Sequence, residues 1–149
     1  MGLFSPYWQH HHDYKILRED NHTFKGVKTI VVESIPRFPH GENSLFGKAW
    51  IRTDDYSILK IEWNPKSLGN AEDIKKAAKK LQSTPQVTFT TEYLIERQGI
   101  RYPSRSFLEE SYVNKEGEKR TLITTVIDYK DYHFFVVGTE VKRVKMGKF

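Results

Sequence analysis

From Phe46 to Trp63 the chain alternates apolar and polar positions on both sides of Asp54-Asp55. Side chains on a strand point to opposite faces with a period of two, so this pattern predicts a hairpin. Aspartate bonds its own main chain and tolerates left-handed backbone, which places the turn at Asp54-Asp55. That turn sets Trp50 opposite Leu59, Lys48 opposite Ile61 and Phe46 opposite Trp63. Phe46, Trp50, Leu59, Ile61 and Trp63 then share one face, interrupted only by Lys48. A one-residue slip would scatter this set.

The same reading gives strands at Tyr14–Glu19 and Phe24–Ile35 around a turn at residues 20–23. Gly26 marks a bulge or bend, and Pro36 ends the second strand. Arg37–Asn43, with Pro39 and Gly41, is a loop. One helix is expected over 70–82: Asn70 is its N-cap, Glu72 and Asp73 lie in its first turn, and Ile74, Ala77, Ala78 and Leu81 recur at helical spacing. Its apolar stripe is narrow and its back is lysine, which suits a cover over a sheet better than a membrane anchor.

Val87, Phe89, Thr91, Tyr93 and Ile95 alternate with polar residues, the clearest strand in the chain. A Gln98-Gly99 turn returns it along Arg101–Tyr112, with Glu96 facing Arg101 and Glu92 facing Arg105. Tyr102 and Leu108 join its apolar face, and Pro103 signals a break in the ladder. Asn114–Gly117 is a turn. Arg120–Tyr129 and Tyr132–Val141 form a last hairpin with both faces apolar: Ile123, Ile127 and Phe134 on one, Leu122, Val126 and Phe135 on the other. Such strands are covered on both sides, by packing, a partner or a ligand cavity.

The strand Gly26–Pro36, the Gly47-Lys48-Ala49-Trp50-Ile51 strand, the Asp54-Asp55 turn and the Ile58-Leu59-Lys60-Ile61-Glu62 strand follow one another in an order that resembles the LolA-like outer-membrane lipoprotein-sorting proteins. The Gly99–Arg105 segment resembles the family too. The likeness runs from about Phe24 to Val141 and matches the later part of such a domain. It implies a mainly β (α+β) fold: a strongly curved antiparallel sheet, or incomplete β-barrel, of about eight strands with one covering helix. It also implies a single domain over 1–149, shortened at its N-terminus relative to the family. The function implied is a carrier of the bacterial periplasm or cell envelope, with an acyl chain or lipoprotein as cargo and a membrane-associated partner.

A chain of 149 residues has enough length for one core, and 13% of it is aromatic. No apolar run approaches the length of a transmembrane helix, and no signal peptide is visible. Cysteine is absent, which excludes thiol chemistry and disulfides. The net charge of +5 is concentrated in Lys75, Lys76, Lys79 and Lys80 and in the tail Lys142, Arg143, Lys145 and Lys148. Attraction to anionic lipid or nucleic acid and an ordinary solvated surface are both consistent with it, the second being the commoner case. Of His10, His11 and His12, only His10 and His12 share a side of an extended segment, too few for a metal site. No phosphate-binding glycine loop, nucleophile elbow or zinc motif occurs. Asp54-Asp55 is explained by turn chemistry, and Glu109 and Glu110 point to opposite faces.

The expectation is therefore a non-catalytic carrier or sensor without a cofactor or metal. Its cargo would be held by burial in an apolar cavity, for which Phe46, Trp50, Ile61, Trp63, Phe89, Tyr93 and Phe135 are the candidate lining residues. The alternative is a protein-interaction β-module that docks a partner or a second copy through the last hairpin. A nucleic-acid-binding β-domain is the third class. It is disfavoured because only Lys48 and Arg52 flank the expected aromatic face.

Overall fold

The computed structural model describes residues 4, 6–18, 23–38 and 45–133, apart from the side chains of Tyr7, Trp8 and Arg18. A single turn of helix, α1 (Pro6–Gln9), leads into β1 (His12–Arg18). There follow β2 (Thr23–Phe24), β3 (Val27–Pro36), β4 (Gly47–Arg52), β5 (Ile58–Trp63), the helix α2 (Ala71–Lys80) and β6 (Thr84–Glu92). A small hairpin, β7 (Ile95–Arg97) and β8 (Ile100–Tyr102), precedes β9 (Arg105–Val113) and β10 (Lys119–Asp128). The main sheet is antiparallel, in the order β1-β3-β4-β5-β6-β9-β10, with β2 paired to β3 as its eighth strand. It does not close into a barrel, so the mainly β, incomplete-barrel architecture expected from the sequence is the one observed.

The order follows from short connections, which make strands that are close in sequence neighbours in space. Two connections are two-residue turns with both residues left-handed: Lys25-Gly26 (φ 50° and 79°) and Gln98-Gly99 (φ 53° and 76°). That geometry matches the twist of the flanking strands. Gly26 therefore makes the tight β2–β3 turn, and the bulge expected there is absent. Pro103 breaks the returning strand as expected, separating β8 from β9. Ser104 bridges the break: its N–H donates to the Glu92 carbonyl at 2.7 Å, and its own carbonyl accepts from the Tyr129 N–H at 3.0 Å.

The β4–β5 hairpin departs from the expected register. Next to the turn the pairing is as expected, with Arg52 N–H donating to the Ser57 carbonyl and Ile51 opposite Ile58. Asp55 Oδ1 accepts from both the N–H and the hydroxyl of Ser57, and the left-handed residue is Tyr56 (φ 57°). Leu59 is then an extra residue, a bulge, and beyond it Trp50 lies opposite Lys60, Lys48 opposite Glu62, Ala49 opposite Ile61 and Gly47 opposite Trp63. One inserted residue exchanges faces. Trp50 thus leaves the face of Ile61 and Trp63.

With this register two rows of side chains cross all seven strands on one face. One is Ile16–Val32–Ala49–Ile61–Thr91–Ser106–Ile127, and its neighbour is Tyr14–Ser34–Gly47–Trp63–Phe89–Leu108–Thr125. The other face opposes charges of alternating sign. Lys15, Glu33, Lys48 and Glu62 stand side by side, as do Lys60, Glu92, Arg105 and Asp128. Most of the hydrophobic burial sits on the first face and the ion pairs on the second, where Val31, opposite Trp50, is also buried.

The core centres on Ala49 and Ile61, packed by Phe4, Ile51, Ile58, Trp63 and Tyr93. Phe4 also meets the Tyr14 ring at 5.2 Å, so the N-terminal segment covers the β1–β5 side of the apolar face. Helix α2 packs on β6 through buried Ile74 and Ala78. Across from this part of β6, Glu110 and Tyr112 on the apolar face and Ser111 on the charged face are buried, whereas Gln86 and Thr88 are exposed. Asn70 occupies the N-cap position but its side chain makes no capping bond, and Leu81 is exposed, so the helix is shorter than the expected 70–82.

At Gly47 the backbone of β5 leaves no room for a side chain: a Cβ there would lie 2.1 Å from the Glu62 carbonyl oxygen and 2.9 Å from Trp63 Cα. Both are backbone atoms, which cannot rotate away. Gly47→Ala should cost about 3 kcal/mol in a urea titration, while Gly69→Ala, which meets open space, should stay within about 0.5 kcal/mol. Equal midpoints for the two variants would show that this close approach does not constrain the sheet.

Candidate functional site

The candidate site is the stretch of the apolar face between the two covers. Trp63 and Phe89 lie opposite each other on β5 and β6, ring centroids 6.3 Å apart and stacked, and Leu108 continues the row on β9. All three are half-buried. Beyond them Ile123 and Ile127 on β10 are exposed. An apolar row that is neither closed over nor fully wet is open to a greasy ligand, and this is the chemistry the region offers.

A chain of hydroxyls runs beside this row. Trp63 Nε1–H donates to Thr91 Oγ1 at 3.2 Å, Thr91 Oγ1 lies 3.3 Å from Ser106 Oγ, and Ser106 Oγ lies 3.4 Å from the Tyr129 hydroxyl. At the same end Tyr102 and Tyr132 pack ring to ring at 5.2 Å, and the Tyr132 hydroxyl donates to the Pro103 carbonyl at 2.8 Å. Burial, and then the nearness of Tyr129 and Tyr132, raise the Tyr93 pKa; burial, then Tyr129 and Tyr102, raise that of Tyr132. Four phenols thus collect where the sheet's rows end.

The expected lining residues divide. Trp63 and Phe89 stand together on the open row. Tyr93 joins both the core and the tyrosine cluster. Ile61 is buried under them as core. Phe46 lines a crevice of about 280 Å³ at the strand ends with Trp63, Ser34, Lys48 and Glu62. Trp50 is a correction: the Leu59 bulge turns it to the charged face, where Lys60 Nζ sits 4.3 Å from its ring centroid. Phe135 lies outside the described residues, as do residues 134–141 of the expected second strand of the last hairpin and the basic tail; Tyr132 and His133, its first two residues, are described and are not in a strand. Thr91, Ser106, Leu108 and Tyr129 were not among the expected lining residues, although Leu108 was expected on the apolar face. Thr91 alternates with Phe89 and Tyr93, but its meeting with Ser106 requires the β6–β9 register.

The ion pairs differ from the expected ones in one place. Arg101 pairs with Glu96 at 2.9 Å as expected. Glu92 and Arg105 stand opposite each other, yet Glu92 pairs with Lys25 at 2.5 Å and Arg105 with Asp128 at 2.7 Å. Hydrogen bonding to Arg105 holds the Asp128 carboxyl below its ordinary range, and bonding to Ser57 does the same for Asp55. Lys25, Asp128 and Glu96 are well-exposed partners, while Glu92 and Arg101 are 19% and 13% exposed, and each charge is neutralised by its partner. His10 and His11 are exposed in a turn and His12 is buried at the start of β1. Among the described residues no three His, Cys, Asp or Glu gather to hold a metal, and no helix is long and apolar enough to cross a membrane.

Comparison of the chain with protein-family models, with curated proteins and with solved structures finds no match. Function is therefore argued from the apolar face itself.

On β9 the Tyr112 hydroxyl donates to Glu110 Oε1 at 2.5 Å. Burial, then that bond and the adjacent carboxyl, push the Tyr112 pKa from 10.0 up to about 12. The folded chain keeps this proton in a pH window where the unfolded chain has lost it. The stabilisation is thus complete below pH 10 and is lost as pH rises towards 12, by about 2 kcal/mol. Tyr112→Phe should lose less stability than the parent between those pH values in urea melts. Parallel losses would show that another group governs the alkaline limb.

Proposed function

We propose that this chain is a non-catalytic carrier or sensor that holds an acyl chain against its apolar face, in the manner of the LolA-like proteins its hairpins resemble. The observation that carries the reading is the half-buried Trp63–Phe89–Leu108 row, left between the N-terminal cover and α2 on an open antiparallel sheet. A methylene chain laid along this row removes apolar area from water on both partners, worth about 0.8 kcal/mol per methylene. Such binding uses no nucleophile, base or metal. The cell envelope is the setting we propose, with a lipid or lipidated protein as cargo and a membrane-associated partner to receive it.

A second reading is favoured by β10, where Leu122, Ile123, Val126 and Ile127 are 44–50% exposed with no charge between Thr121 and Ile127. Among the described residues β10 is the last strand of the sheet, and natural edge strands carry charge or proline to prevent pairing. A stable dimer in light scattering, converted to monomer by Val126→Lys with the fold intact, is the outcome expected of an interaction module. A monomer at all concentrations removes that reading.

The two faces separate the carrier reading cleanly, because Trp63 lies on the apolar face and Trp50 on the charged one. In a Trp8→Phe, Trp50→Phe chain, a brominated fatty acyl probe should quench the remaining Trp63 strongly. In a Trp8→Phe, Trp63→Phe chain, the remaining Trp50 should stay nearly unquenched, since heavy-atom quenching acts at contact range. Equal quenching of both, or of neither, sinks the carrier proposal.

A further inference from the structure

We infer that the Thr91–Ser106–Tyr129 hydroxyl chain receives the neutral, oxygen-bearing head of the ligand, so that this face selects a monoacylglycerol-type molecule over a free fatty acid. This rests on the carrier reading and specifies the ligand class for the same site. Thr91 and Ser106 are 7% and 6% exposed, in the middle of a row whose other members are aliphatic. Core positions in a sheet are ordinarily filled by aliphatic side chains, and two adjacent buried hydroxyls on facing strands are a departure from that. The two hydroxyl–hydroxyl contacts are long, 3.3 Å for Thr91–Ser106 and 3.4 Å for Ser106–Tyr129, where a hydroxyl pair prefers about 2.7 to 2.8 Å. A hydroxyl offers one donor and two acceptor sites, so capacity remains for a further oxygen. The Ser106–Tyr129 link is the longest of the chain and half-buried, so it is the easiest to open.

A carbonyl or hydroxyl oxygen lodged there accepts from the Tyr129 phenol and from Ser106 Oγ. Its acyl tail then continues along Leu108, Phe89 and Trp63, which occupy the neighbouring row. The charge pattern decides between heads. On the two central rows of β5, β6, β9 and β10 every side chain is uncharged, and among the described residues the carboxylate on the adjoining row is Glu110, opposite Val87 and Ile123. The cations Lys60 and Arg105 belong to the opposite face. A carboxylate or phosphate would be desolvated here with no counter-charge, whereas a neutral ester or alcohol needs only the hydrogen bonds that the hydroxyls supply.

The test is displacement of a naphthylamine fluorophore from the full chain by monomyristoylglycerol, myristate and tetradecane, which share one chain length. The expected order is monomyristoylglycerol tightest, by about tenfold over the other two. Ser106→Ala and Tyr129→Phe should each erase most of that preference and leave tetradecane displacement unchanged. Tyr129→Phe keeps the ring and so guards against a variant that merely misfolds. Myristate binding as tightly as the glyceride, or a preference that survives both variants, overturns this inference while leaving the carrier reading in place. Failure of all three compounds to displace the fluorophore overturns both.

Discussion

The backbone ladder between β4 and β5, shifted by the extra residue Leu59, is the constraint on which the rest depends. It sets Ala49 against Ile61 and Gly47 against Trp63, and those pairs are the middle members of both seven-strand rows. Gly47 permits the approach because it has no Cβ to meet the Glu62 carbonyl. Without the bulge, Trp50 would join Ile61 on one side and Ala49 would face outwards. The apolar surface would then be interrupted at its centre, since register fixes every side chain's face at once.

From that hairpin the two faces acquire different physics. On one, burial is concentrated at Ala49 and Ile61 and decreases towards Trp63, Phe89 and Leu108, then to exposed Ile123 and Ile127. On the other, lysine, arginine, glutamate and aspartate oppose one another across strands and mostly remain solvated. Each such pair contributes a few tenths of a kcal/mol at about the level measured for exposed ion pairs, so their role is to fix partners more than to stabilise. Stability comes from the apolar side, and so does the proposed binding. A carrier of this kind has to leave part of its own hydrophobic surface unsatisfied.

The covers belong to the same economy of contacts. Phe4 packs on the early strands and α2 on β6, with Tyr112 and Glu110 buried on β9. Between them lies the row that carries the functional proposal. The hydroxyls of Thr91, Ser106 and Tyr129 interrupt an otherwise greasy strip whose two rows on β5, β6, β9 and β10 carry no charged side chain among the described residues.

Period-two alternation, turn residues and the Ile74–Ala78 spacing were enough to place most strands, the helix and the antiparallel class, because these depend on neighbours a few residues away. Glu96 facing Arg101 was legible for the same reason, since a two-residue turn fixes its register. Trp50 was misplaced because a bulge costs little locally and leaves no mark in the alternation of Ile58, Leu59 and Lys60. Glu92 and Arg105 face each other yet choose Lys25 and Asp128, since a charge takes whichever partner the tertiary fold brings nearest. Thr91, Ser106 and Tyr129 come from three separate segments and meet through β6–β9 pairing and the Tyr129–Ser104 backbone bond. The sequence by itself determined which residues are apolar and where the chain turns; the tertiary structure alone decided which of them share a face, because a single added residue in one strand reverses that choice for all that follow.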